Sequence, residues 1–121
     1  MYDTDKRKLL SALSHGAIFF STLFVSIGVP IAILFVSEDP VVKENAKESI
    51  NFHFNVWLWG GILGAIIALL LFISFGLLSI VLWIPVVLGY LLHWGLTIWA
   101  IINVLGDPNK SFRYPLIFRL I

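Results

Sequence analysis

The stretch that decides the fold is DPVVKENAKESINFHFNVWLWGGILGAIIALLLFI, from Asp39 to Ile73. Asp39 is a favourable residue to cap a helix, and Pro40 suits the first helical position because its missing N–H would have no helical partner there. No later proline interrupts the run. The stretch therefore predicts one long central helix that begins among charged residues and continues into purely apolar sequence.

A polar face runs along the first half of this predicted helix. Its members recur at spacings of four, three and four residues, which places them on one side of an α-helix: Glu44, Glu48, Asn51 and Asn55. We interpret this face either as the lining of a polar path or docking surface, or as a set of side chains that hydrogen-bond neighbouring helices. The candidate ion-pair partners are basic residues of the same helix and of the C-terminal tail: Lys47, Arg113 and Arg119.

Small residues follow in the apolar half of the same helix. Gly60, Gly64 and Ala68 lie at intervals of four, and Gly61 and Ala65 repeat that interval beside them. Inside lipid, small residues at this spacing let two helix backbones approach closely. We therefore predict that these five residues pack against another helix.

The composition is that of a membrane protein. The 121 residues are 60% hydrophobic and 12% charged, and the mean hydropathy is +0.98. Residues 9–36 and 49–106 contain no Asp, Glu, Lys or Arg. About 20 apolar residues in a helix cross a bilayer, and helices satisfy their own backbone in lipid. We expect one all-α, integral membrane domain over residues 1–121.

The apolar tracts predict a bundle of three long helices. The expected spans are residues 9–36, 50–73 and 77–105, with an interfacial start of the central helix at 40–49 and an amphipathic interfacial tail at 107–121. The first tract would be about 42 Å long as a helix, which exceeds a bilayer core. We therefore expect a kink or break at Gly28–Pro30, and a break there could produce a fourth short helix. In either case we expect this first tract to make one net crossing of the membrane.

The sequence offers little for catalysis or for metal binding. It contains no cysteine, and His15, His53 and His93 share no ligand spacing. No nucleophile–base pair or phosphate loop appears, and the net charge of +1 gives no sign of nucleic-acid binding. We predict a protein that is not an enzyme and has no catalytic, cofactor or metal site.

Four segments of the chain resemble one family of small membrane proteins. They are ALSH (residues 12–15), the Gly-x-Pro of the first tract, ENAKESINFHFN (residues 44–55) and the ending FRYPLIFRLI (residues 112–121). The family consists of bacterial domains of unknown function related to the twenty-kilodalton subunit of the chloroplast inner-envelope import translocon. The resemblance implies that the chain is a component or scaffold of a membrane complex that acts in protein translocation. The plastid member of this family is described with four membrane crossings.

Two other functions remain open at this point. The first is an oligomeric channel or transporter that uses the stripe of Glu48, Asn51 and Asn55. The second is an accessory structural subunit of a membrane complex, such as a photosynthetic one. All three hypotheses expect a lipid bilayer and either other membrane subunits or self-association as partners. They place the chain in a bacterial inner membrane, or in a thylakoid or plastid membrane.

Overall fold

The computed structural model describes residues 2–20 and 24–121, and over these residues the chain forms helices and no strand. The helices are α1 (Thr4–Gly16), α2 (Phe24–Val36), α3 (Pro40–Ile73) and α4 (Ser79–Gly106), and a short 3-10 turn, Ala17–Phe19, extends α1. Residues 107–121 form a tail without regular structure. The predicted all-α class is confirmed for the described part of the chain.

The central helix has the predicted ends. Asp39 caps it by accepting a hydrogen bond from Val41 N at 2.9 Å, and Pro40 is its first residue. At the far end, Phe75 and Gly76 have positive φ angles of 52° and 82°, which reverse the chain into α4. Glycine adopts this conformation without strain, which makes Gly76 a suitable residue for the reversal.

The first apolar tract is interrupted at a different place from the one we predicted. Helix α2 continues through Gly28 and Pro30, so a break there was wrong. The ring of Pro30 is fully buried, and packing of this kind offsets the one main-chain hydrogen bond that a proline removes from a helix. The interruption instead separates α1 from α2.

Helices α1 and α2 form a hairpin. The Tyr2 hydroxyl donates to the Glu38 carbonyl at 3.1 Å, and Arg7 Nε lies 2.6 Å from Asp39 Oδ2. The start of α1 therefore lies beside the end of α2, where we had expected a single net crossing. Each helix has 13 residues, or about 20 Å, which is shorter than a hydrocarbon core of about 30 Å.

All of the charged residues collect at one end of the molecule. They belong to residues 3–8, 38–48 and 107–119, and Arg7 joins the three segments because its Nη1 also donates to Asn109 Oδ1 at 2.9 Å. We call this region the charged end. Residues 49–106, which comprise the rest of α3, the turn and all of α4, extend away from it and contain no Asp, Glu, Lys or Arg.

The α3–α4 hairpin is suited to lipid. Both helices are long and apolar enough to cross a membrane. Large apolar side chains at the turn are exposed, most of all Phe75 at 95% and Leu77 at 86%. A soluble protein rarely leaves an apolar patch of this extent in water. The location in a membrane, expected from the sequence, agrees with this surface.

The ion pair between Asp39 and Arg7 predicts a pH dependence of stability. Burial opposes ionisation of Asp39, but hydrogen bonds from Arg7 and from Val41 N outweigh it and hold the pKa of this carboxyl below its usual value. A lowered pKa means that the stabilisation is complete above the ordinary Asp pKa of about 3.9 and is lost as the pH falls through the lower folded value.

The test is Asp39→Asn, which keeps the helix cap and removes the charge. We expect it to lower the free energy of unfolding by about 2 kcal/mol at pH 7, and to flatten the loss of stability below pH 4. Denaturant titrations in detergent at several pH values would measure both effects. Asp3→Asn is the matched control, because Asp3 caps α1 and has no ion pair among the described residues. Equal pH profiles for the two variants would contradict the prediction.

Candidate functional site

One face of α3 binds the main chain of the C-terminal tail. The four polar side chains of this face are at most 5% exposed: Asn45, Glu48, Asn51 and Asn55. We call these four residues, together with the tail residues that they contact, the polar seam. They follow one another at intervals of three, three and four residues, so they share one side of the helix. The seam lies where the charged end passes into the apolar hairpin.

The seam supplies acceptors to the first half of the tail. Phe112 N donates to Asn45 Oδ1 at 2.9 Å, and Tyr114 N donates to Glu48 Oε2 at the same distance. A tail without helix or strand has no regular partners for its N–H groups, and burying them unpaired would be costly. The side chains of α3 therefore take the place of a neighbouring strand.

The second half of the tail turns back along the same face. Leu116 has a φ of 60° at this reversal. Phe118 N donates to Asn55 Oδ1 at 2.9 Å, and the Asn55 amide donates in return to the Phe118 carbonyl at 2.6 Å. Leu120 N then donates to Asn51 Oδ1 at 2.8 Å. The tail is thus fixed at both ends of the seam.

Glu48 and Arg119 form the charged contact of the seam. Arg119 donates from Nε to Glu48 Oε1 at 2.6 Å and from Nη2 to Glu48 Oε2 at 3.1 Å. The same guanidinium donates to the Tyr114 carbonyl at 2.8 Å. Only 7% of the Glu48 side chain and 30% of the Arg119 side chain are exposed. A bidentate ion pair of this kind is stronger than a hydrogen bond between two neutral groups.

His15 of α1 is linked to the tail and to α3. Its Nδ1 lies 2.8 Å from the Tyr114 hydroxyl, and its Nε2 lies 2.9 Å from Asn45 Oδ1. Burial, and then the Glu48 carboxylate, raise the pKa of Tyr114 well above its usual value, so the hydroxyl is a donor. The Asn45 oxygen is an acceptor. The network therefore assigns the proton of a neutral His15 to Nε2.

The same half of α3 also holds the α1–α2 hairpin. Ser49 donates to the Ser14 carbonyl of α1, and Asn45 Nδ2 donates to Ser11 Oγ at 3.1 Å. His53 lies 3.2 Å from Ser26 Oγ of α2 through its Nε2. Residues 45–55 of α3, about three helical turns, therefore contact α1, α2 and the tail at once and form the centre of the fold.

The seam differs in one member from the polar face that the sequence suggested. Glu44 is exposed and lies 3.2 Å from Lys47, and neither residue forms a hydrogen bond or an ion pair with the tail among the described residues. Arg113 is also exposed and makes no ion pair within residues 2–20 and 24–121. Asn45 takes the place of Glu44. Its spacing of three before Glu48 was the signal that could have identified it.

The row of small residues makes no close helix contact within the part of the chain that the structure describes. A Cβ built at Gly60, Gly61 or Gly64 would meet no atom within 4 Å, and Ala65 and Ala68 are exposed. Helices α3 and α4 stand apart here and enclose a cleft of about 770 Å³. The expected packing of these five residues against another helix is therefore not made by α4.

The chemistry of the site is that of a clamp for a chain segment. The amide and carboxylate groups of the seam hold main-chain N–H groups, and no group of three or more metal-ligating side chains lies together in the described part of the chain. The absence of enzymatic activity stays a prediction.

Comparison with known proteins assigns a family. The model of the MamF_MmsF family, described as the magnetosome magnetite crystal formation protein family, matches residues 6–121, which is nearly the whole chain. No curated protein and no solved structure matches. The expected relation to the chloroplast import subunit was wrong, and so was the function in protein translocation. Neither the channel nor the accessory-subunit hypothesis agrees with this family, and a thylakoid location has no support.

Proposed function

We propose, for a chain that belongs to the MamF_MmsF family of magnetosome magnetite crystal formation proteins, that it acts on the growing crystal from the magnetosome membrane. In this proposal the α3–α4 hairpin anchors the molecule in lipid, and the charged end is the surface that meets the mineral. The polar seam is the structural element that connects the two.

The observation that carries the proposal is the separation of charge from apolar surface. The charged end gathers side chains from three distant parts of the sequence through the contacts of Tyr2, Arg7 and Arg119. The helices beyond it offer only uncharged surface. A molecule of this shape presents one and the same charged face wherever it is embedded in a bilayer.

The exposed carboxylates of this face have the chemistry to bind iron ions of a mineral. Carboxylate oxygens are suitable ligands for hard metal cations, and several are free to approach a surface: Asp3, Asp5, Glu38, Glu44 and Asp107 are exposed. Glu48 and Asp39 are buried in ion pairs and belong to the fold. The proposal therefore assigns contact with the crystal to the first group.

The proposal is tested by growing magnetite from iron salts beside vesicles that contain the full chain. We expect the wild-type protein to shift the crystal size distribution relative to protein-free vesicles, as measured by electron microscopy. A variant with Asp3→Asn, Asp5→Asn, Glu38→Gln, Glu44→Gln and Asp107→Asn should lose most of that shift. Its fold should persist, because each position is exposed and asparagine can still cap α1.

The matched control neutralises exposed bases of the same end, with Lys6→Gln, Lys110→Gln and Arg113→Gln. We expect it to act on crystal growth as the wild type does. If instead the acidic variant keeps the full effect, the carboxylates of the charged end are not the mineral-binding groups. An absence of any wild-type effect on crystal size would count against the proposed function as a whole.

A further inference from the structure

We propose that the α1–α2 hairpin enters one leaflet of the membrane from the charged end and returns to the same side without crossing. The lipid of that leaflet is then the partner that covers the apolar surface of the hairpin, and the crossing of the bilayer is left to α3 and α4. The partner concerned is the bilayer and not the mineral, so this proposal does not depend on the function proposed above.

Both ends of the hairpin are fixed at the charged end. The Tyr2 hydroxyl donates to the Glu38 carbonyl at 3.1 Å, and Arg7 Nε donates to Asp39 Oδ2 at 2.6 Å. Arg7 also donates from Nη1 to Asn109 Oδ1, which belongs to the tail. Charged side chains are costly in hydrocarbon. The start of α1, the end of α2 and the tail therefore lie on one side of the membrane.

The other end of the hairpin carries exposed aromatic side chains and no charge. Residues 9–36 contain no Asp, Glu, Lys or Arg. The Phe20 side chain, just past the end of the 3-10 turn, is 80% exposed, and that of Phe19 is 42% exposed. Exposed aromatic rings at an extremity are unfavourable in water and favourable in lipid. This end of the hairpin therefore lies in hydrocarbon while both starting points lie in water.

The hairpin is too short to reach the opposite side. From Lys8, the last charged residue of α1, to Phe20 is about 20 Å along the helix and its 3-10 extension. The apolar stretch of α2, Ser26–Val36, is likewise shorter than a membrane span. A hydrocarbon core is about 30 Å thick. The uncharged part of α3, residues 49–73, is about 37 Å long and does cross it.

Contacts with the two long helices give the same depth. The Phe19 ring lies edge-on to Trp94 of α4 at a centroid distance of 5.8 Å, and α4 extends about 22 Å further from there to its start at Ser79. His53 of α3 lies 3.2 Å from Ser26 Oγ at the other side of the hairpin, and α3 continues for about 30 Å beyond it. The leaflet at the charged end therefore holds α1, α2, α3, α4 and the tail, and α3 and α4 continue into the other leaflet.

The experiment uses single cysteines, because the chain has none of its own. The full chain is reconstituted in phosphatidylethanolamine–phosphatidylglycerol vesicles, and a membrane-impermeant maleimide is either added outside or enclosed inside. The cysteine variants replace residues that are exposed in the structure: Asp5→Cys, Glu38→Cys, Lys110→Cys, Phe20→Cys and Phe75→Cys. We expect the first three to react from outside to the same extent and Phe75→Cys to give the complementary fraction, whatever the mixture of orientations. Phe20→Cys should react only after the vesicles are dissolved in detergent.

Two results of this labelling would overturn the proposal. A hairpin that crosses the bilayer would let Phe20→Cys react in intact vesicles from the same side as Phe75→Cys. Termini on opposite sides would give Asp5→Cys and Lys110→Cys complementary instead of equal fractions. Neither readout involves a crystal, so the outcome is separate from any effect of the protein on mineral growth.

A pair of charged variants tests the depth of the hairpin independently. Phe20→Arg places a guanidinium near the middle of the bilayer, so we expect the ratio of folded to unfolded protein in lipid bicelles to fall about a hundredfold. Phe75→Arg is the matched control at the α3–α4 turn, which meets water on the far side, and should change that ratio less than about threefold. Both phenylalanines are at least 80% exposed, so lost packing does not account for a difference between them. A loss of folding in the first variant alone would support the placement, and equally small effects of the two would overturn it.

Discussion

Replacing Glu48 with alanine is expected to destabilise the protein by about 3 kcal/mol. The change leaves the Arg119 guanidinium without its carboxylate and removes the acceptor of Tyr114 N, which is 2.9 Å from Glu48 Oε2. Removing the buried partner of such a pair costs more than the pair itself contributes, because the buried Tyr114 N–H and the partly exposed guanidinium are both left without this acceptor. The free energy of unfolding, measured by denaturant titration in detergent micelles, would show the loss.

Glu44→Ala is the matched control for this prediction. Glu44 is the same residue type one turn earlier on α3, but its side chain is 54% exposed, and its one ion pair among the described residues is with the exposed Lys47. Exposed pairs of this kind contribute less than about 1 kcal/mol. Similar losses for the two variants would show that the Glu48–Arg119 contact does not stabilise the tail.

Replacing Asn45 with leucine is expected to lower the free energy of unfolding by about 3 kcal/mol. Asn45 is fully buried, and its side-chain oxygen accepts hydrogen bonds from Phe112 N and from His15 Nε2. Its amide donates to Ser11 Oγ and to the Val41 carbonyl. Leucine has a similar size and can bind none of these groups, so several buried polar atoms lose their partners together.

The control for Asn45 is Asn103→Leu on α4. Asn103 is exposed, and within residues 2–20 and 24–121 its amide donates to the Trp99 carbonyl of its own helix and to no other group. A change at an exposed position of this kind should alter the free energy of unfolding by less than about 0.5 kcal/mol. The prediction would fail if Asn45→Leu were as mild. The tail should also become accessible to proteases in the Asn45 variant, since Phe112 and Tyr114 lie on the released segment.

The resemblance to the import family came from residues that the structure assigns to the fold. The segment 44–55 is the α3 side of the polar seam, and the ending 112–121 is the tail that the seam holds. The two segments are therefore two halves of one structural contact. A shared packing contact gives no information on what a protein acts on, and the function inferred from that resemblance was wrong.

The sequence by itself determined the elements of local origin. The cap at Asp39, the proline at the start of α3 and the uncharged tracts were all read correctly. Each depends on the conformational preferences of a few neighbouring residues, or on the solvent preference of a long run. Such properties do not need a distant partner, which is why the all-α class and the membrane location followed from them.

Only the tertiary structure decided which side chains meet across long separations. Arg7 reaches Asp39 and Asn109, Tyr114 reaches His15, and Arg119 reaches Glu48 across 71 residues. A helical spacing places Glu44 and Glu48 on neighbouring parts of one surface, but it does not say which of them the tail covers. That choice depends on the position of a segment far along the chain, and so do the hairpin of α1 and α2 and the open cleft beside Gly64.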